Sequence, residues 1–258
     1  MTNTAVDMDR LRRLVVEAGE AALKSRSTMR AEMKPDNTVV TNVDREIEEF
    51  LWSELSRLCP EYGFTGEEYG RRGNLDAPSW VCDPIDGTTN FVHGLPHWGV
   101  SVALVRDGVS ELGVFYLPVL DELFWAVRGE GAFRNGSRMS AADGETFSPE
   151  DTLCFSSESM KSLDLSSLTG SLRGLGSIAA EMAYTAEGRF RAAFGRNPGA
   201  VDVAAAACIC AEAGCELRWL NGQLVSMAEL LEQPKRSGIF ACAPPRTMSL
   251  LLSILYQG

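Results

Sequence analysis

Trp80-Val81-Cys82-Asp83-Pro84-Ile85-Asp86-Gly87-Thr88-Thr89-Asn90-Phe91 is the stretch from which this chain is best read. Its first three residues are apolar and strand-like. Asp83 and Asp86 then stand three positions apart at the strand's end, followed by a glycine and two hydroxyls. Two aspartates in a tight turn repel each other unless a cation lies between them or each caps backbone N–H groups. Read alone, the pair fits a capped turn as well as a metal site. Mg²⁺ takes aspartate oxygens and keeps waters and substrate phosphate as further ligands. Glycine followed by Thr-Thr can turn backbone N–H groups toward an anion where a helix begins.

Outward from this run, Leu11, Leu14, Val15, Ala18 and Ala22 recur at helical spacing and predict an amphipathic helix from Asp7 to Ser25. Met33 to Val40 predicts a loop, with Pro35-Asp36-Asn37 as turn chemistry. Val43, Ile47, Phe50, Leu51, Leu55 and Leu58 make the stripe of a second helix, with Thr41 or Asn42 as N-cap and Asp44 in the first turn. Strands are expected at Tyr62 to Phe64, Trp80 to Cys82, Trp98 to Val105, Glu111 to Tyr116 and Glu122 to Val127, with Asn135-Gly136 as a tight hairpin. Residues 1–145 therefore predict an α+β lobe of two helices beside an antiparallel sheet.

Past the polar stretch from Asp143 to Asp151 the pattern alternates. Strands at Thr152 to Phe155, Phe190 to Phe194, Glu216 to Leu220 and Gly238 to Cys242 are interleaved with helices. These run from Ser177 to Glu187, Val203 to Ala213 and Thr247 to Tyr256. That predicts an α/β lobe over residues 146–258. With 258 residues, one compact unit of two lobes is the expectation.

The formal net charge of −11 disfavours nucleic acid as a partner. Most of the excess reads as solvated surface and part of it as a metal site. No apolar run approaches the length of a membrane span and no signal peptide is seen at Met1-Thr2-Asn3-Thr4, so a cytoplasmic protein is expected. Seven cysteines at irregular spacings, including Cys208, Cys210 and Cys215, match no zinc pattern and read as buried reduced thiols.

Further pieces stand in a fixed order around the central run: Lys34, then Val40-Thr41-Asn42-Val43-Asp44, Gly66-Glu67-Glu68 and, far downstream, Val201-Asp202-Val203-Ala204-Ala205. Together with Asp83 to Phe91 they resemble the inositol monophosphatase family, from about Leu11 to the C-terminus. The resemblance implies a layered α–β–α–β–α sandwich and a Mg²⁺-dependent, Li⁺-sensitive phosphomonoesterase with two or three metal ions per site. It implies that Asp83 bridges two ions, that the Ile85 carbonyl and Glu67 serve the first, and that Asp86 and Asp202 serve the second. Thr88 and Asp44 become a dyad that, with Glu67, handles the attacking water. Asp86, Gly87, Thr88 and Thr89 face the substrate, and Lys34 belongs to a loop over the site.

Each of these residues also has a plainer reading. Glu67-Glu68 reads as a solvated pair, Asp202 as the N-cap of the helix it precedes, Thr88 and Asp44 as separate helix caps, and Lys34 as a surface lysine. His93 and His97 are expected in supporting positions only.

The resemblance further implies a homodimer acting on a small phosphorylated metabolite. Inositol monophosphate fits best. Fructose 1,6-bisphosphate, histidinol phosphate, phosphoadenosine phosphate and NADP are the alternatives, and a protein-binding regulator is the non-enzyme one. Two departures stand out: Val201 where tryptophan is common, and Gly195 where inositol-specific members carry a glutamate. Arg191, Arg196 and Asn197 lie close by in sequence and can meet a second anionic group, with a solvated turn as the plainer reading of the arginines.

Overall fold

In this computed structural model residues 6–35, 37–74, 76–232 and 237–255 are described. Met1 to Thr4, Asp36 of the expected turn and Tyr256 of the closing helix lie outside them. The first lobe runs through α1 (Met8–Ser25), β1 (Ala31–Met33), β2 (Val39–Thr41), α2 (Asn42–Leu58), β3 (Gly63–Gly66), β4 (Gly70–Gly73), β5 (Ser79–Asp86) and α3 (Thr88–His93). It continues through β6 (Gly99–Arg106), β7 (Val109–Leu117), β8 (Glu122–Val127), β9 (Gly131–Arg134) and β10 (Ser137–Arg138). The second comprises β11 (Thr152–Phe155), α4 (Ser157–Met160), β12 (Ser171–Arg173), α5 (Ile178–Ala186), β13 (Ala192–Arg196), α6 (Ala200–Glu212), β14 (Glu216–Trp219), α7 (Met227–Glu232), β15 (Ile239–Ala243) and α8 (Pro245–Leu255).

Eight strands form one sheet in the order β10-β9-β8-β7-β6-β5-β3-β4, and five form another in the order β12-β11-β13-β15-β14. Side-chain alternation explains the layers. Trp80, Cys82, Val102, Leu104 and Val114 point to one face of the large sheet and pack with Leu11, Val15, Ile47 and Leu51 of α1 and α2. Val81, Ala103, Val105 and Phe115 point to the other and pack with the alanine-rich α5 and α6. Helix α6 crosses β7 so closely that a Cβ on Gly113 would stand 2.3 Å from the Ala205 carbonyl. Beyond this middle layer lies the small sheet, whose far face (Leu153, Phe155, Phe194, Ala241) is covered by Met248 and Leu251 of α8. The result is the α–β–α–β–α sandwich.

Two local expectations are corrected. Met33 to Val40 is not simply a loop: its ends pair as the β1–β2 hairpin, invisible to periodicity because β1 is wholly exposed. The large sheet is not purely antiparallel, since β3 and β5 run parallel. The small sheet is mixed, with β11 parallel to β12 and β13, but β15 antiparallel to both β13 and β14. An alternating order of strands and helices does not by itself encode strand direction. Among the described residues, no helix is long and apolar enough to cross a membrane, and all seven cysteines are buried and free.

Candidate active site

Strand β5 is buried along almost its whole length. Side chains three positions apart on a regular strand point to opposite faces. Here the pairing with β6 slips: Asp83 opposes Ser101 and Asp86 opposes Gly99, so one extra residue bulges out between them. Pro84, which has no N–H to give the ladder, sits in that bulge. The slip restores the two aspartates to a common side, and both line a cavity of about 300 Å³. Strand β3 runs parallel to β5 with Gly66 opposite Cys82, so the residue after β3 comes level with Asp83. Glu67, the residue after β3, is thereby delivered to the same cavity.

Two helix starts supply the other carboxylates. Asp44 closes a capping box on α2, accepting from Thr41 N (2.8 Å) and Thr41 Oγ1 (2.5 Å) with Oδ2. Its Oδ1 is left to accept from Thr88 Oγ1 at 3.2 Å. Thr88 Oγ1 also lies 3.1 Å from the Ile85 carbonyl. Asp202 does not precede its helix as an N-cap. Helix α6 begins at Ala200, and Asp202 lies in its first turn with Oδ2 accepting from Gly199 N at 2.7 Å. The Ala-Val pair ahead of it joins the helix because nothing in Gly199-Ala200-Val201 stops it earlier.

Glu67, Asp83, Asp86 and Asp202 share a pattern. One oxygen of each is anchored: Glu67 by Lys34 Nζ (2.9 Å), Asp83 by Ile85 N (2.9 Å), Asp86 by Ser177 Oγ and Ala179 N (3.0 Å), and Asp202 by Gly199 N. No hydrogen bond from the described residues reaches the other oxygen. Burial, followed by the charges of Glu67, Asp86, Asp202 and Asp44, drives the Asp83 carboxyl far above its ordinary range. Burial lifts Asp86 to about 8 and Asp202 to about 6. Crowded acids with raised pKa values mark a place that favours positive charge.

Among the described residues, no three His, Cys, Asp or Glu side chains converge enough to chelate a metal unaided. Mg²⁺ does not require such a cage, because it is usually held by one or two carboxylates with waters and phosphate completing the octahedron. The four carboxylate oxygens around this cavity that accept no hydrogen bond from the described residues fit that mode.

Gly87, Thr88 and Thr89 line the same cavity. Gly87 has φ 90° and a Cβ there would lie 3.0 Å from the His97 carbonyl and 3.2 Å from that of Gly176. Glycine is thus required by neighbouring backbone as well as by its left-handed conformation. Lys34 stands in the β1–β2 turn, with its ammonium on both Glu67 and Glu68 (2.6 Å). Burial opposes its charge, but the two glutamates hold its pKa above the usual lysine range. Neither His93 nor His97 lines the cavity.

Sequence reasoning missed the residues that hold the clustered carboxylates in place. Fully buried Glu48 accepts from Glu68 N (2.7 Å) and Tyr69 N (2.9 Å), fixing the turn that presents Glu67. Asn90 Nδ2 donates to the carbonyls of His97 (2.5 Å) and Leu175 (2.7 Å), stapling the two lobes. Ser177 reaches Asp86 across 91 positions of chain. The helical spacing of Glu48 behind Asp44 was the one available signal.

The wider cleft, about 1080 Å³, shares Glu67 and Asp202 with this cavity and is lined by Arg196 and Asn197 but not Arg191. Arg191 instead donates to Thr247 Oγ1 and pairs with Asp151, because it precedes β13 at the opposite end of the strand. A side chain at Gly195 would meet the Phe240 ring at 2.4 Å, so glycine there opens no space in the cleft.

Comparison with known proteins identifies a family. A family model described as "Inositol monophosphatase family" matches residues 5–257. An inositol-1-monophosphatase of Rhizobium meliloti is 36% identical over 196 residues, 72% of this chain and 74% of that one. A histidinol-phosphatase of Chlorobaculum parvum is 41% identical over 126 residues, 48% of this chain and 49% of that one. The crystal structure of the extragenic suppressor protein suhB from Bartonella henselae superposes with a TM-score of 0.86 at 27% identity, covering 97% of this chain and 98% of that one.

Proposed function

The chain belongs to the inositol monophosphatase family and is a phosphoric monoester hydrolase, and we propose that it is a Mg²⁺-dependent one, hydrolysing inositol monophosphate or a related small sugar phosphate. The observation that carries this reading is the single cavity lined by Glu67, Asp83, Ile85, Asp86, Thr88 and Asp202.

Two or three Mg²⁺ ions held by Glu67, Asp83, Asp86, Asp202 and the Ile85 carbonyl would polarise the phosphate and lower the pKa of water. The chain's own work is positional. Thr88 Oγ1 has one hydrogen and two acceptor lone pairs. Its hydrogen is claimed by Asp44 Oδ1 or by the Ile85 carbonyl. When it turns to Asp44, a lone pair is left toward the cavity to accept from the attacking water. Burial raises the Asp44 pKa, which suits it to take up a proton passed through Thr88. Thr88 and Thr89 open α3, where the first N–H groups lack helical partners and suit phosphate oxygens. The same reading makes the protein a cytoplasmic, Li⁺-inhibited homodimer.

The test is phosphate release from inositol 1-phosphate, fructose 1,6-bisphosphate, histidinol phosphate, phosphoadenosine phosphate and NADP, with and without Mg²⁺. Hydrolysis that depends on Mg²⁺ is expected, with inositol 1-phosphate among the substrates. Full turnover in excess chelator would overturn the metal reading.

A further inference from the structure

One buried acid has no part in the chemistry above. Glu181 lies on α5 among Ala179, Ala180, Met182 and Ala183, only 1% exposed, and makes no ion pair among the described residues. An apolar side chain would be cheaper to bury there. What the carboxyl does is accept from Leu175 N (2.8 Å) and Gly176 N (3.2 Å) with Oε1. Those two N–H groups belong to the short strap that enters α5, and buried backbone donors need partners.

The strap touches the site three times. Gly176 lines the carboxylate cavity. The Leu175 carbonyl accepts from Asn90 Nδ2. Ser177, the next residue, donates its hydroxyl to Asp86 Oδ2, and Ala179 N donates to the same oxygen. Release of Glu181 would free Leu175 and Gly176 and, with them, the start of α5.

We propose that Glu181 is a positioning residue: by pinning Leu175 and Gly176 it holds Ser177 against Asp86 and so fixes which oxygen of that aspartate faces the cavity. The inference rests on reading Asp86 as a Mg²⁺ ligand. Groups that orient a metal's ligands typically change affinity or activity by about 10- to 100-fold when removed.

Mg²⁺ binding to the purified full chain, followed by calorimetry, tests it. Glu181→Ala should weaken Mg²⁺ binding by about tenfold or more, and Ser177→Ala should do the same. Glu181→Gln, which keeps an acceptor oxygen at the strap, should stay within about threefold of wild type. The double variant should bind no more weakly than Ser177→Ala alone, because both act through one contact. If Glu181→Ala does not fold, Glu181→Asp, whose carboxyl is withdrawn by one methylene, takes its place. Wild-type affinity in Glu181→Ala or Glu181→Asp, or full additivity in the double variant, overturns the inference. Wild-type protein that takes up no Mg²⁺ overturns the functional reading itself, and the inference with it.

Discussion

Replacing Asp86 by asparagine should abolish activity yet stabilise the metal-free fold at alkaline pH. Burial lifts the Asp86 carboxyl from 3.8 to about 8. A group whose pKa is raised by folding stabilises the fold fully below its unfolded pKa and loses that contribution as pH rises through the folded value. For Asp86 this window runs from 3.8 to about 8. At about pH 8 the cost to the folded state has a ceiling of roughly 5 kcal/mol, at about 1.4 kcal/mol per pKa unit. The carboxyl oxygen also accepts from Ser177 and Ala179, and an asparagine oxygen accepts the same two bonds more weakly. With an effective interior dielectric well above that of dry protein, about 2 kcal/mol is the expected net gain. In a chain of this size that is about 5 °C in Tm. Thermal unfolding in excess EDTA at about pH 8 and about pH 4.5 measures it. The variant should exceed wild type at the higher pH and approach it at the lower, and added Mg²⁺ should reverse the order at the higher. An Asp86→Asn protein equally destabilised at both pH values in EDTA would refute the argument that this carboxylate is held against its own charge.

Thr88→Ala should lower kcat by about 10²- to 10⁴-fold while Mg²⁺ affinity changes less, measured by initial rates and calorimetry on one preparation; wild-type kcat would dissolve the dyad with Asp44. Gly66→Ala drives a Cβ to 2.1 Å from Glu48 Oε1 and should cost about 1–3 kcal/mol in urea unfolding, with weaker Mg²⁺ binding as the Glu67 turn shifts. Burial opposes ionisation of Glu122, but Arg189, Tyr184 and Arg134 hold its pKa below the usual glutamate value. That contribution is present above the unfolded pKa and lost as pH falls through the folded one. Glu122→Gln should therefore be less stable than wild type at neutral pH, the gap closing in acid as monitored by circular dichroism.

Much of the site was legible in the chain because its donors are local. Asp83, Asp86, Gly87, Thr88 and Thr89 fall within seven consecutive residues, so strand, turn and helix start could be read from one stretch. Hydrophobic periodicity likewise determined α1, α2 and most strands, because burial of one face is a property of spacing. The tertiary structure alone decided what depends on contacts between distant segments. The slip of β5 against β6 puts Asp83 and Asp86 on one side, although their spacing alone places them on opposite faces. The parallel pairing of β3 with β5 brings Glu67 beside them. The strap before α5, fastened by Glu181, carries Ser177 to Asp86 from the other lobe. Residue order names the carboxylates of the candidate site, but only register and packing, set by which buried faces and backbone donors must be satisfied together, determine where their oxygens point.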